Sequence, residues 1–299
     1  MMLDQEKFRE YSTQALIDIN EYTEDEANEY VEKQFKLWET EKEDGKLMHR
    51  ILSDISVQPN RNALVSTDNN SNVRFLAFIK GRSYYKDLLK SFGLTEDDLQ
   101  NREKYQIYTY KLTSLQNAVN IIFGKINTIM HGLRPETYEK SSAYSKHFSA
   151  KLSMMNKLIG CHIDQIYVDN TGHIHLFNFK MTNDDPKHWN KNKDTKYTYE
   201  MALIKRILAA NGIPVEVMDQ DGTIKNNISM YNIPVRLKYT EENDKFVIDG
   251  FVVPDHITYT IRDNEAYLHK FEKKVNSFIK SDLHYTEEID LDANLDMVD

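Results

Sequence analysis

Asp164, Asn178 and Lys180 have the types and the spacing to do chemistry together. They lie in two β-rich runs, 161–168 and 173–180, on either side of Asp169-Asn170-Thr171-Gly172, and the pattern predicts a hairpin. A three-residue loop with Gly172 in the left-handed conformation sets Asp169 opposite His173 and Asp164 opposite Asn178. Strand side chains alternate, so Asp164, Asn178 and Lys180 would then share one face, whereas a two-residue turn would set Asp164 against Phe177. A buried carboxylate is costly without a partner. Asp164 therefore belongs either to a structural ion pair with Lys180 or to a site that handles charge.

A second carboxylate, Glu200, opens an apolar helix over 199–210 that ends at Asn211-Gly212 and Pro214. It falls on the stripe of Ile204 and Ile207, at i+4 and i+7, and so is expected to face the sheet. Between strand and helix, a polar loop carries Lys187, His188, Trp189, Lys191, Lys193 and Lys196. Such charge with one aromatic ring suits a nucleic-acid backbone and a stacked base, though a solvated loop has the same composition. Cys161, His162, His173 and His175 suggest zinc, but alternation sends Cys161 and His162 to opposite faces and no paired-cysteine spacing supports a site.

The elements that must position these groups fall into two halves. Ala27, Val31, Phe35 and Trp38 mark one helix that is expected to end near Glu41 to Gly45. A second helix, closed by Gln58-Pro59-Asn60, carries His49 beside a stripe of Leu47, Met48, Ile51, Leu52 and Ile55. Between 62 and 130 the pattern predicts a short strand at 73–79 and helices near 83–92 and 105–129. Beyond 212 it predicts strands at 233–239 and 245–253 and a last helix at 264–280.

Over 299 residues there is length for a sizeable core, and no apolar run approaches a membrane span. No secretion signal is visible at the start, and a single cysteine points to a reducing cytoplasm. That cysteine count excludes a four-cysteine iron–sulfur cluster, and no phosphate-binding loop for a nucleotide is present. The net charge of −9 is unevenly spread. Residues 1–30 carry nine acids and two bases, and residues 282–299 carry seven acids and no Lys or Arg, which leaves 31–281 at +5. The middle of the chain thus permits a phosphate-bearing partner.

Taken in order, Gly45-Lys46-Leu47-Met48-His49 on a helix, Ile163-Asp164 on a strand, Asn178-Phe179-Lys180 on the next strand and Glu200 on the following helix resemble the RecB-type branch of the PD-(D/E)XK nuclease superfamily. The resemblance covers 45–55 and 159–212. It implies an α/β fold with a restriction-endonuclease-like mixed central sheet flanked by helices and a large helical N-terminal or inserted region. The expected organisation is an acidic segment 1–30, one nuclease domain 31–281 with a helical insertion at about 62–150, and an acidic tail 282–299.

The resemblance also implies Mg²⁺ or Mn²⁺ held by Asp164, the Phe179 carbonyl and His49, with Lys180 orienting the attacking water or stabilising developing charge. Phosphodiester hydrolysis of single- or double-stranded DNA follows as the expected activity, as an exonuclease of repair, recombination or bacteriophage DNA processing. A protein partner in a DNA-processing complex and a location in the cytoplasm, or a host's cytoplasm, belong to the same expectation. The family's acidic position before the lysine is Asn178 here. In some restriction endonucleases of the superfamily an amide is compatible with cleavage; in others the following helix supplies the acid, where this chain has Glu200. The competing expectations are an inactive nuclease fold kept as a nucleic-acid-binding or assembly subunit, and an unrelated scaffold.

Overall fold

The computed structural model describes residues 5–20, 22–58, 61–65, 70–131, 144–152, 157–169, 171–183, 185, 191–254, 258–259 and 289–290. Helices come first: α1 (Gln5–Asn20), α2 (Glu24–Ser56), α3 (Arg61–Val65), α4 (Ser71–Lys80), α5 (Tyr85–Ser91) and α6 (Arg102–His131). Then follow β1 (Tyr144–Leu152), β2 (Lys157–Val168), β3 (Ile174–Thr182), α7 (Lys191–Ala210), β4 (Glu216–Met218), β5 (Ile224–Asn226), β6 (Ile228–Glu242), β7 (Lys245–Val252), β8 (Thr258–Tyr259) and β9 (Ile289–Asp290). The chain is α/β, with a mixed sheet between helices and a helical N-terminal region.

The main sheet runs β1-β2-β3-β6-β7, with β8 on β6 and β9 on β2; the β3–β6 pair, bridged by α7, and the β2–β9 pair are parallel and the others antiparallel. One face, bearing Tyr167, Phe177, Phe179, Ile233, Val235 and Leu237, packs on α2, α5 and α6. The other, with Ile166, Ile174, Leu176, Ile228 and Met230, packs on Met201, Leu203, Ile204 and Ile207 of α7. A parallel pair buried on both faces needs this double cover.

Three local expectations are corrected. The segment 73–79 is not a strand but the middle of α4: Ser71, Phe75 and Ile79 are buried at a spacing of four, and that burial overrides the β preference of the aromatic and branched residues. The expected break near Gly45 is absent, because α2 runs unbroken through it. Gly45 lies against Met181 of β3 and the adjacent Asp44 is buried on Ser91, so the charged run that reads as a terminus is tertiary contact. The insertion at about 62–150 is not wholly helical, since β1 begins at Tyr144. The predicted helix at 264–280 lies outside the described residues.

Helix ends follow side-chain chemistry. Thr23 and Glu26 form a reciprocal capping box at the start of α2. After α5 the Gly93 N–H reaches the Lys90 carbonyl and the Leu94 N–H that of Leu89, the paired bonds of a left-handed helix stop, with Gly93 at φ +72°. A Cβ there would meet Val247 Cγ1 at 2.9 Å. Gly93→Ala is accordingly expected to cost about 2 kcal/mol from the left-handed backbone and the forced shift of β7. The check is a urea titration, in which the midpoint should fall with the slope unchanged.

Candidate active site

The hairpin register agrees with the three-residue loop. Gly172 has φ +81°, the Asp169 N–H bonds the His173 carbonyl, and pairs run from Val168 with Ile174 to Gln165 with Phe177. The recorded ladder stops at that pair, one step short of Asp164. On the opposite edge of β2, Tyr144 pairs with Ile166 but Lys146 with Ile163, so three residues of β2 span two of β1. This bulge lies at Asp164-Gln165, and bulges re-aim side chains.

Asp164 is consequently not on the same face as Asn178 and Lys180, which corrects the shared-face expectation. Its Oδ2 accepts the Phe179 N–H at 2.7 Å, and its Oδ1 lies 2.7 Å from Nδ1 of His49 on α2. The strands fork here: farther along the same edge of β2, Ile159 and Gly160 pair with β9 rather than with β3. Burial by itself would push the Asp164 carboxyl up. The His49 ring, the Phe179 N–H and the charge of Lys180 outweigh it and hold that carboxyl below the ordinary aspartate range.

On the other side of β3, Asn178 and Lys180 meet α7. Lys180 Nζ is bonded to Glu200 Oε1 and lies 5.2 Å from the centre of the Tyr197 ring. Glu200 is buried, as its place on the stripe of Ile204 and Ile207 requires. Asn178 donates to Met201 Sδ at 3.8 Å, while among the described residues its buried Oδ1 meets no hydrogen-bond donor. The same holds, among the described residues, for the buried Oδ1 of its register neighbour on β6, Asn232. The site is thus two pairs flanking one strand: His49 with Asp164 toward α2, and Lys180 with Glu200 toward α7.

Among the described residues no three His, Cys, Asp or Glu side chains converge. Of the expected ligands, His49 and Asp164 meet and Glu200 is held by Lys180 across β3. Phe179 contributes its N–H to Asp164 in the contact seen. Of the basic loop, Lys187 and Trp189 lie outside the described residues. Lys191, Lys193 and Lys196 belong to the first turns of α7, which begins eight residues before the expected Tyr199. The earlier start brings in Tyr197, missed in the sequence although it stands at i−3 from Glu200. His173 reaches Ser229 Oγ of β6 at 2.8 Å, and His175 reaches Asp169 Oδ2 at the turn at 3.3 Å.

No protein-family model matches the chain, and no curated protein matches it either. Among the described residues no helix is long and apolar enough to cross a membrane.

Proposed function

We propose that the chain is a metal-dependent deoxyribonuclease of the RecB-like PD-(D/E)XK type, with a restriction-endonuclease-like core. The observation that carries this reading is the fork at Asp164, where a buried carboxylate joins a helix histidine 115 positions away and takes the N–H of the residue just before Lys180. An ordinary hairpin would continue its ladder through that point.

The donors present on the α2 side suit a hard divalent cation in chemistry, a carboxylate and an imidazole in contact. Asp164 and His49 would hold it; Mg²⁺ or Mn²⁺, when bound, neutralises charge on the phosphate and makes water a better nucleophile. Lys180 brings a fixed positive charge to the leaving or attacking oxygen. Glu200, the candidate replacement for the acid missing at Asn178, lies on the α7 side of β3 and through its bond to Lys180 holds the ammonium in place. DNA is the proposed substrate, attacked as an exonuclease would in repair, recombination or phage DNA processing.

The test is cleavage of single- and double-stranded DNA with Mg²⁺ or Mn²⁺ by the wild type, Lys180→Ala and Glu200→Gln. Wild-type cleavage is expected, absent with Lys180→Ala and about 10- to 100-fold slower with Glu200→Gln, whose pH profile should also shift as the ammonium loses its partner. An unchanged rate in Glu200→Gln would remove Glu200 from the site. Asn178 favours a second reading, an inactive nuclease fold that binds nucleic acid. Salt-sensitive DNA binding without cleavage by the wild type would select it.

A further inference from the structure

The α2 side of the sheet holds a cation that the chemistry at Asp164 does not use. The bulge in β2 turns Asp164 toward α2, and Tyr167, three residues and about 10 Å farther along the strand, faces the same side. Gln165 lies between them, and its Oε1 accepts the Tyr167 hydroxyl at 3.4 Å. The Tyr167 oxygen in turn accepts from Nη1 of Arg61, the first residue of α3, also at 3.4 Å. The guanidinium lies 4.6 Å from the centre of the Phe123 ring. Arg61, Tyr167 and Gln165 thus form a chain of fixed polarity whose far end adjoins Asp164.

Arg61 is half-buried, and among the described residues it meets the Tyr167 hydroxyl and the Phe123 ring but no carboxylate. Gln165 is fully buried, and among the described residues its Nε2 meets no acceptor. A positive charge partly withdrawn from water without a counter-ion is costly, and so is a buried amide with an idle donor. The first cost falls when an anion sits on the guanidinium; the second is what keeps the Tyr167 oxygen turned toward it. A planar fork of N–H donors, steadied on one ring, suits the paired oxygens of a phosphate. We infer that Arg61 holds a backbone phosphate of the bound DNA strand, with Tyr167 as its positioning residue. At an axial rise of about 3.4 Å per phosphate, that phosphate lies about three positions from the one cut at Asp164. The identity of the strand rests on the deoxyribonuclease reading above.

Fluorescence anisotropy of labelled DNA, single-stranded and duplex, with the full chain tests this over a salt series, a chelator being present so that nothing is cut. Arg61→Gln is expected to weaken Kd about tenfold and to lower the slope of log Kd against log salt by about 0.7 to 0.9, the loss of one phosphate contact. Arg61→Lys should keep the slope, and Tyr167→Phe should keep it while weakening Kd about threefold. A purely structural Arg61 would leave the slope unmoved. Circular dichroism checks folding, and Arg61→Met, which keeps an apolar stem over Phe123, answers the same question should the glutamine variant be unstable. Wild-type Kd and slope in the Arg61 variants overturn the inference and leave the cleavage reading standing. With metal added, a wild type that binds through Arg61 yet cuts nothing supports the inference and overturns that reading instead. A wild type that binds no DNA overturns both.

Discussion

Asp164→Asn is expected to lower metal-dependent DNA cleavage by about a thousandfold or more while leaving the chain folded. Asparagine keeps the size of the side chain and an oxygen for the Phe179 N–H, so the apex of the fork retains its bond. It removes the negative charge that His49 faces at 2.7 Å. The Asp164 carboxyl titrates below its ordinary range in the fold, so its charge stabilises the native state above the unfolded pKa. That contribution is lost as pH falls through the lowered folded value. At neutral pH the variant should therefore be somewhat less stable, with the gap to wild type closing in acid. Circular dichroism at the assay temperature separates the two effects. A folded Asp164→Asn protein that cuts at the wild-type rate would reduce the pair to a structural ion pair.

The largest stability effect is expected at Asp44→Asn, and its sign is stabilising. Asp44 is 5% exposed; burial pushes its carboxyl up to about 6, against the opposing hydrogen bond from Ser91. Relative to 3.8 in a free chain, the folded state holds the proton more tightly. Wild-type stability therefore rises as pH drops from 6 toward 4, and above 6 the fold carries the cost of a buried charge. At 1.36 kcal/mol per pH unit this cost is about 3 kcal/mol at pH 8. Asparagine does not ionise and avoids it. The variant should melt several degrees higher at pH 8 and level with wild type near pH 4. An equal difference at both pH values would mean that packing, not charge, sets the effect.

The sequence makes legible what short-range rules govern. Gly172 determines the loop, and with it the register that leads to Asp164. Glu200 is placed on the sheet side by the periodicity of Ile204 and Ile207. The bulge at Asp164-Gln165 is another matter, because an extra residue in one strand leaves no mark in the hydrophobic pattern and shows only against the partner strand. For the same reason Asn232 gives no hint of itself: its neighbour Asn178 is reached across a parallel pair that forms only after α7 has crossed over. Gly45 and Phe75 mislead in opposite ways. One looks like a stop and is a contact; the other looks like a strand residue and is a helix knob, and in both cases burial overrides local preference.

α2 joins two distant parts of the molecule with one rigid rod. Asp44, Gly45, Leu47 and Met48 are buried on the outer side of His49, and Ile51, Leu52 and Ile55 on the inner side. At about 1.5 Å per residue the end at Glu24 stands about 38 Å from His49. A bend in the outer half of the helix therefore meets the packed run from Asp44 to Met48 before it reaches the histidine on Asp164. The long helix thus isolates the dyad mechanically even though it connects it covalently to the outermost surface of the chain.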